Sequence, residues 1–210
     1  MFVDIHTHNQ VPSVFLTIRN LTFTEAEKIF NSKDKGYFSV GFHPCHVNVF
    51  TTESMSILEK WATDSRLVSI GECGLDKNSP VSLDKQLYVF EQQILLSEKV
   101  EKPLIIHCVR CFNELFELKK KLNPHRLWII HGFRGKPEMA KQALKNGCAL
   151  SFGEHFNSES VRLTPIDKLF VETDESLLPI YEVYRQIALA KNVSPESLTA
   201  GELFFSKDES

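Results

Sequence analysis

The chain is predicted to be an α/β protein: a (β/α)8 barrel of the TIM type, compact and distorted around its first two strands. Three observations in its 210 residues lead there. Eight short apolar runs alternate with segments of helical periodicity, which argues a mostly parallel sheet covered by helices. Six histidines and carboxylates, spread from residue 6 to residue 174, stand at or just past the ends of such runs, where a barrel of this kind assembles its active site. Only residues 7–12 separate the first run from the second, whereas a parallel crossover needs about a dozen residues or more.

In chain order, strands are expected at residues 1–5, 13–18, 37–42, 67–71, 103–107, 127–131, 148–152 and 169–173. Each is short and rich in β-branched or aromatic residues, as buried strands are. Helices are expected at 24–31, 52–62, 83–100, 111–122, 137–145 and 180–191, with a last short one at 195–203. The segment 83–100 is the clearest, with Leu83, Leu87, Phe90 and Ile94 on one broad apolar face. Asn146-Gly147 ends the fifth helix and Ser194-Pro195 opens the last. At the first joint a helix is missing, or the second strand is antiparallel or not a full barrel strand. No repeat, low-complexity tract or linker divides the chain, so a single domain over 1–210 is expected, trimmed relative to the ~250 residues typical of a barrel.

The apolar share of 42% and charged share of 24% are those of an ordinary soluble globular protein. The net charge is −3 and no strongly basic stretch appears, which argues against a nonspecific nucleic-acid binder with a basic stripe. A metal-centred phosphodiesterase needs no such stripe, because bound cations dominate the local charge. Of the five cysteines, four are expected to be reduced and buried and one to lie nearer a site. Cys108 and Cys111 have the C-x-x-C spacing, with no second pair to complete a structural zinc site. The first apolar run holds five residues and contains Asp4, so no signal peptide is read there. No stretch approaches a membrane span. The expectation is a cytoplasmic, thiol-reduced protein with no membrane partner, and no protein partner is predicted.

Five motifs carry the chemistry. In His6-Thr7-His8, residues two apart in extended chain point to the same side, so both imidazoles can reach one ion. An unpaired buried polar group costs about 1–3 kcal/mol, and a metal satisfies both rings. In Gly41-Phe42-His43-Pro44-Cys45-His46, Pro44 stops the strand and leaves His43 at the rim, facing substrate or supporting a ligand. His46 is not read as a ligand. In Gly71-Glu72-Cys73-Gly74-Leu75-Asp76, the glycines let the backbone approach a ligand closely and leave Glu72 room to bridge two ions ~3.5–4 Å apart. Asp76 either orients a ligand or faces solvent. His107 and His131 each close an isoleucine-rich strand. Arg110 and Arg134, three residues beyond them, either meet a phosphate or point outward. In Val171-Glu172-Thr173-Asp174, Glu172 and Asp174 share one side. Asp174 is the better candidate, as metal ligand or general base. Glu154 and His155 read as surface loop. Mixed nitrogen and oxygen ligands leave magnesium, manganese and zinc open.

Together, Asp4-Ile-His6-Thr-His8, Gly-Phe-His43-Pro, Gly-Glu72-Cys-Gly-Leu-Asp76, Ile-Ile-His107, Ile-His131-Gly-Phe and Glu-Thr-Asp174 resemble the TatD family of metal-dependent deoxyribonucleases, in order and approximate spacing over residues 1–174. The resemblance implies an amidohydrolase-like barrel with a divalent-metal centre that hydrolyses phosphodiesters, with DNA or another phosphodiester as substrate. It places metal ligands on His6, His8, Glu72, His107, His131 and Asp174, and puts His43 at the substrate end. The family's arginine two residues after the fifth-strand histidine lies three after it here, at Arg110, which is carried as a substrate-binding candidate.

The expected mechanism uses two divalent ions (Mg, Mn or Zn), one on His6, His8, Glu72 and Asp174 and one on Glu72, His107 and His131. Glu72 and Asp174 are the catalytic carboxylates, and Asp174 orients the activated water for in-line attack. The opening Asp-Ile-His-Thr-His also resembles the polymerase-and-histidinol-phosphatase group of metallo-phosphoesterases. Hydrolysis of a small molecule on the same scaffold is a further option, since a fold does not fix its substrate. From a different class, a non-catalytic binding protein fits the trimmed length, but six costly polar groups at strand ends argue against it.

Overall fold

The computed structural model describes residues 1–9 and 15–205. Among them are eight strands and seven α-helices in barrel order: β1 (Val3–Thr7), β2 (Leu16–Leu21), α1 (Phe23–Phe30), β3 (Tyr37–Val40), α2 (Thr52–Trp61), β4 (Leu67–Asp76), α3 (Leu83–Val100), β5 (Leu104–Val109), α4 (Phe112–Leu122), β6 (Trp128–Ile130), α5 (Pro137–Lys145), β7 (Cys148–Phe152), α6 (Ser158–Leu163), β8 (Leu169–Val171) and α7 (Ile180–Lys191). The (β/α)8 class expected from the sequence is present. The chain forms two compact units, one of Met1–Arg19 with Gly132–Ser210, the other of Asn20–His131.

In the unit Asn20–His131, β3, β4, β5 and β6 pair in parallel and in chain order. Trp128, Phe90, Leu67 and Ile70 are fully buried there. The strand expected at 67–71 runs on to Asp76, so that Gly71 and Gly74 lie inside a ten-residue β4. Their φ values are +148° and +130°, a region glycine enters freely. Both permit close approach to β5: a Cβ on Gly71 would meet the Ile105 carbonyl oxygen at 2.5 Å, and one on Gly74 would overlap that of His107. The continued strand carries Glu72 and Asp76 into line with β5, where Gly74 pairs with His107.

In the unit Met1–Arg19 with Gly132–Ser210, β1 pairs in parallel with β2, and β7 with β8. A parallel bridge from Thr7 to Asp174 joins the ends of β1 and β8. The first joint therefore keeps a parallel second strand without a helix among its described residues. That strand spans Leu16–Leu21 rather than 13–18, and residues 13 and 14 lie outside the described residues. Tyr184 of α7 is buried against β1, its hydroxyl donating to the Val3 carbonyl at 3.0 Å and accepting from the Val3 N–H at 3.1 Å.

Other boundaries differ locally. β1 runs to Thr7, so His6 lies within the strand. β3 stops at Val40 and β6 at Ile130, so His43 and His131 follow their strands. The segment 195–203 forms two 3-10 turns, Pro195–Ser197 and Ala200–Phe204, rather than one helix. α6 was not anticipated. Its six residues are too few to show a helical period, and it is set by Asn157, whose side chain accepts from the Glu159 and Ser160 N–H groups. Three cysteines rather than four are buried, Cys73, Cys111 and Cys148, with Cys45 and Cys108 half-buried. No helix among the described residues is long and apolar enough to cross a membrane.

Candidate metal centre

One ligand set lies in the unit Asn20–His131 and is built around Glu72. The Glu72 N–H donates to the Asn20 side-chain oxygen at 2.9 Å, and that oxygen also accepts from Ser39 Oγ at 3.0 Å. The carboxylate is 5% exposed, and its Oε1 faces three imidazoles: His107 Nδ1 and His131 Nε2 at 2.8 Å and His43 Nε2 at 3.3 Å. Burial penalises the Glu72 charge. His131, then His107 and His43, outweigh that penalty and hold the carboxyl well below its ordinary range, so it stays ionised.

Two of the three rings are held from outside, and the backbone of His131 is anchored to β5, its amide N–H donating to the Ile106 carbonyl at 3.0 Å. The Cys45 N–H donates to His43 Nδ1 at 3.1 Å, which leaves the His43 ring proton on Nε2, toward Glu72. Asp76 Oδ2 lies 3.2 Å from His107 Nε2, so Asp76 orients the His107 ring rather than facing solvent. A carboxylate behind a ligating histidine fixes the ring's orientation and raises its basicity.

The second set lies in the unit Met1–Arg19 with Gly132–Ser210. Asp4 accepts from the Thr173 N–H and hydroxyl at 3.0 and 2.6 Å. Asp174 N–H donates to the His6 carbonyl at 2.9 Å, and the Asp174 carbonyl accepts from His8 N–H at 3.0 Å. This lattice puts His6 Nε2 and His8 Nε2 at 3.8 and 3.7 Å from Asp174 Oδ1, spacings that leave room for an ion among the three groups. Asp4 is pushed up to about 7, mainly by burial, with Thr173 hydrogen bonds opposing and the Glu172 charge adding. Glu172 is fully buried and accepts from the Gly132 N–H at 2.6 Å.

A cavity of about 310 Å³ opens beside Asp174, lined also by Glu172, Arg134, His155 and Ser176. Glu154 and His155 are exposed loop residues, as expected, yet both border this cavity. Arg110 is exposed at the turn between β5 and α4, with φ +56°.

The structure thus gathers His107, His131 and His43 on Glu72, and His6 and His8 on Asp174. Sequence reasoning missed Asn20 and Asp4 as supports. Neither stands out locally, since β1 also carries His6 and Thr7 and β2 also carries Thr17 and Arg19. Three imidazole nitrogens on one carboxylate, and two on another, are donor sets that suit divalent zinc, manganese or a similar ion.

This (β/α)8 chain thus carries strand-end imidazoles gathered on two carboxylates, the donor groups of a candidate metal centre. The TatD-related DNase family profile matches residues 4–199, and the chain belongs to that family. It is 30% identical over 164 residues to the uncharacterized metal-dependent hydrolase YabD of Bacillus subtilis, covering 73% of this chain and 64% of YabD. It is 29% identical over 153 residues to the 3'-5' ssDNA/RNA exonuclease TatD of Erwinia amylovora, covering 67% of this chain and 59% of that protein. The chain therefore spans less than two thirds of the length of these relatives. The crystal structure of the TatD homolog YJJV from Escherichia coli shares the fold, with a TM-score of 0.80 at 18% identity, covering 97% of this chain and 96% of that one.

Proposed function

We propose that this protein is a divalent-metal-dependent phosphodiesterase that cleaves DNA by activating a water. The observation that carries the reading is the set of three imidazole nitrogens within 3.3 Å of a single buried, ionised carboxylate oxygen on Glu72. A solvated surface cluster has no need to confine charge in this way. The relatives named as a deoxyribonuclease in Schizosaccharomyces pombe and as an ssDNA/RNA exonuclease in Erwinia support a nucleic-acid substrate.

In this reading Glu72, His107 and His131 hold one ion, and His6, His8 and Asp174 hold a second. When bound, such ions supply a water acidic enough to attack at neutral pH and positive charge for the phosphoryl oxygens. Asp76 keeps the His107 ring turned so that Nδ1 faces Glu72. The carboxylate oxygen of Asp174 that does not face the ion would take the proton released by the attacking water. Glu72 remains a carboxylate throughout, because its three imidazole neighbours favour the charged form. His43 and Arg110 bind substrate, and Arg134 and His155 give the cavity beside Asp174 cationic and hydrogen-bonding edges for a phosphate.

The test is hydrolysis of single-stranded DNA and of a model phosphodiester, with and without chelator, by wild type, Glu72→Gln and His107→Ala. The expected result is chelator-sensitive cleavage that falls by about 100-fold or more in both variants. Undiminished cleavage in both would remove the reading. Cleavage of phosphomonoesters or amides in preference to phosphodiesters would redirect it to another hydrolase chemistry.

A further inference from the structure

Two glutamines on α3 have no role in the chemistry so far described. Gln86 and Gln93 lie seven residues apart, two helical turns, and so share one face of the helix. They are 1% and 0% exposed. Each grips both backbone polar groups of a single residue at a strand end. Gln93 Oε1 accepts from the Phe42 N–H at 2.7 Å while its Nε2 donates to the Phe42 carbonyl at 3.2 Å. Gln86 Oε1 accepts from the Asp76 N–H at 2.8 Å while its Nε2 donates to the Asp76 carbonyl at 3.0 Å and the Val81 carbonyl at 2.8 Å.

The choice of residue follows from this geometry. A primary amide carries an acceptor and donors together, so it can stand in for a neighbouring strand where the ladder has run out. β3 stops at Val40 and β4 stops at Asp76. Phe42 immediately precedes His43, whose Nε2 lies 3.3 Å from Glu72, and the side chain of Asp76 orients His107 at 3.2 Å. The segments held by the two amides are those that aim site side chains.

We propose that Gln86 and Gln93 are positioning residues: through paired backbone hydrogen bonds, α3 sets His43 and the Asp76–His107 pair against Glu72. This rests on the metal-centre reading above. Misplacement of a reacting or ligating group by about 1 Å can cost on the order of 100-fold in rate, so loss of a clamp is read in the site as well as in stability.

The experiment compares Gln86→Leu, Gln86→Glu, Gln93→Leu and the control Ser97→Ala in the full chain. Gln86→Glu keeps the acceptor for the Asp76 N–H but buries an acid against the Asp76 and Val81 carbonyls, so Gln93→Leu keeps the proposal testable if neither Gln86 variant folds. Ser97 is buried on the same helix but binds only the Lys102 carbonyl, at 2.5 Å, away from the site. In metal-free protein, the downfield ring N–H resonances of His107 are expected in wild type and Ser97→Ala and lost in both Gln86 variants. In Co2+ titrations followed by visible absorption, both Gln86 variants are expected to bind about 10–100-fold more weakly, with Ser97→Ala unchanged. Gln93→Leu is expected to keep the Co2+ affinity and lower kcat on a phosphodiester by a similar factor. Gln86 variants that fold, keep the His107 resonances and bind Co2+ as wild type does would overturn the proposal, as would an unchanged kcat in Gln93→Leu. A wild type that binds no Co2+ would sink the metal-centre reading instead, and the metal-free resonances would still decide the clamp.

Discussion

Asp4 and Thr173 are joined by two hydrogen bonds, N–H to Oδ1 at 3.0 Å and hydroxyl to Oδ2 at 2.6 Å, across 169 residues of chain. The pairing ties β1 to the segment that follows β8, where the Asp174 N–H also donates to the His6 carbonyl. A carboxylate outside the proposed ligand set thus fixes the spacing of His6 and Asp174, two of its proposed members. Asp4→Ala leaves the Thr173 N–H without its acceptor and the Thr173 hydroxyl with Thr7 Oγ1 alone. It is predicted to lower unfolding free energy by about 1–3 kcal/mol and to weaken metal retention. Urea unfolding and elemental analysis after dialysis check both, and a folded variant with wild-type metal content would contradict the second.

Tyr184→Phe removes the hydroxyl that serves both backbone groups of Val3. Burial pushes this phenol up to about 12, opposed by its Val3 hydrogen bond and aided by Asp4 and Glu202. It is therefore a neutral donor at any ordinary working pH. The variant is predicted to lose about 1–3 kcal/mol, the cost of leaving buried backbone groups unpaired. An unchanged urea midpoint would show that Val3 finds other partners.

Gly74→Ala and Gly132→Ala are predicted to differ sharply. Both positions have positive φ, +130° and +55°. At Gly74 the new Cβ would also overlap the His107 carbonyl, whereas at Gly132 its nearest neighbour is Glu172 Oε1 at 3.7 Å. Gly132→Ala should cost only the left-handed penalty of about 1–2 kcal/mol. Gly74→Ala adds overpacking of about 1–3 kcal/mol and shifts β4 against His107. Thermal melts and activity should both rank Gly74→Ala as the worse variant, and equal effects would argue that β5 yields freely.

Asp64 and Arg66 predict part of the acid limb. Arg66 donates to both Asp64 oxygens, and its Nη1 donates to the Ile29 carbonyl in the last turn of α1 and to the Ser32 and Asp34 carbonyls beyond it. The Arg66 hydrogen bond foremost, against a burial penalty, lowers the Asp64 carboxyl from 3.8. Because the folded value is the lower one, the unfolded chain binds more protons in that range. The stabilisation is complete above the unfolded value and is lost as pH falls through the folded one. Asp64→Asn should therefore be less stable than wild type near neutrality, with the gap closing as pH falls from the ordinary carboxylate range through the lower folded value. A gap that stays constant across that range would refute the assignment.

Much of the site was legible because strand-end polar residues after apolar runs are costly without a purpose. His6, Glu72, His107 and Asp174 announced themselves in that way, and the alternation of runs gave the barrel. The length of β4 was hidden because glycine ordinarily weakens a strand interior, whereas here Gly71 and Gly74 allow close strand packing. Gln86 and Gln93 were hidden because polar residues in an amphipathic helix are ordinarily solvated, and only the fold shows these two buried against strand ends. Asn20 and Asp4 do their work through backbone N–H groups distant in sequence, which no local pattern reveals.

The most direct test is the anomalous scattering of a crystal grown with Zn2+. The predicted result is a peak about 2.0–2.2 Å from Glu72 Oε1, His107 Nδ1 and His131 Nε2. A map with no peak among those three atoms, from protein that still cleaves DNA, would contradict the assignment of Glu72 as the centre of a metal site.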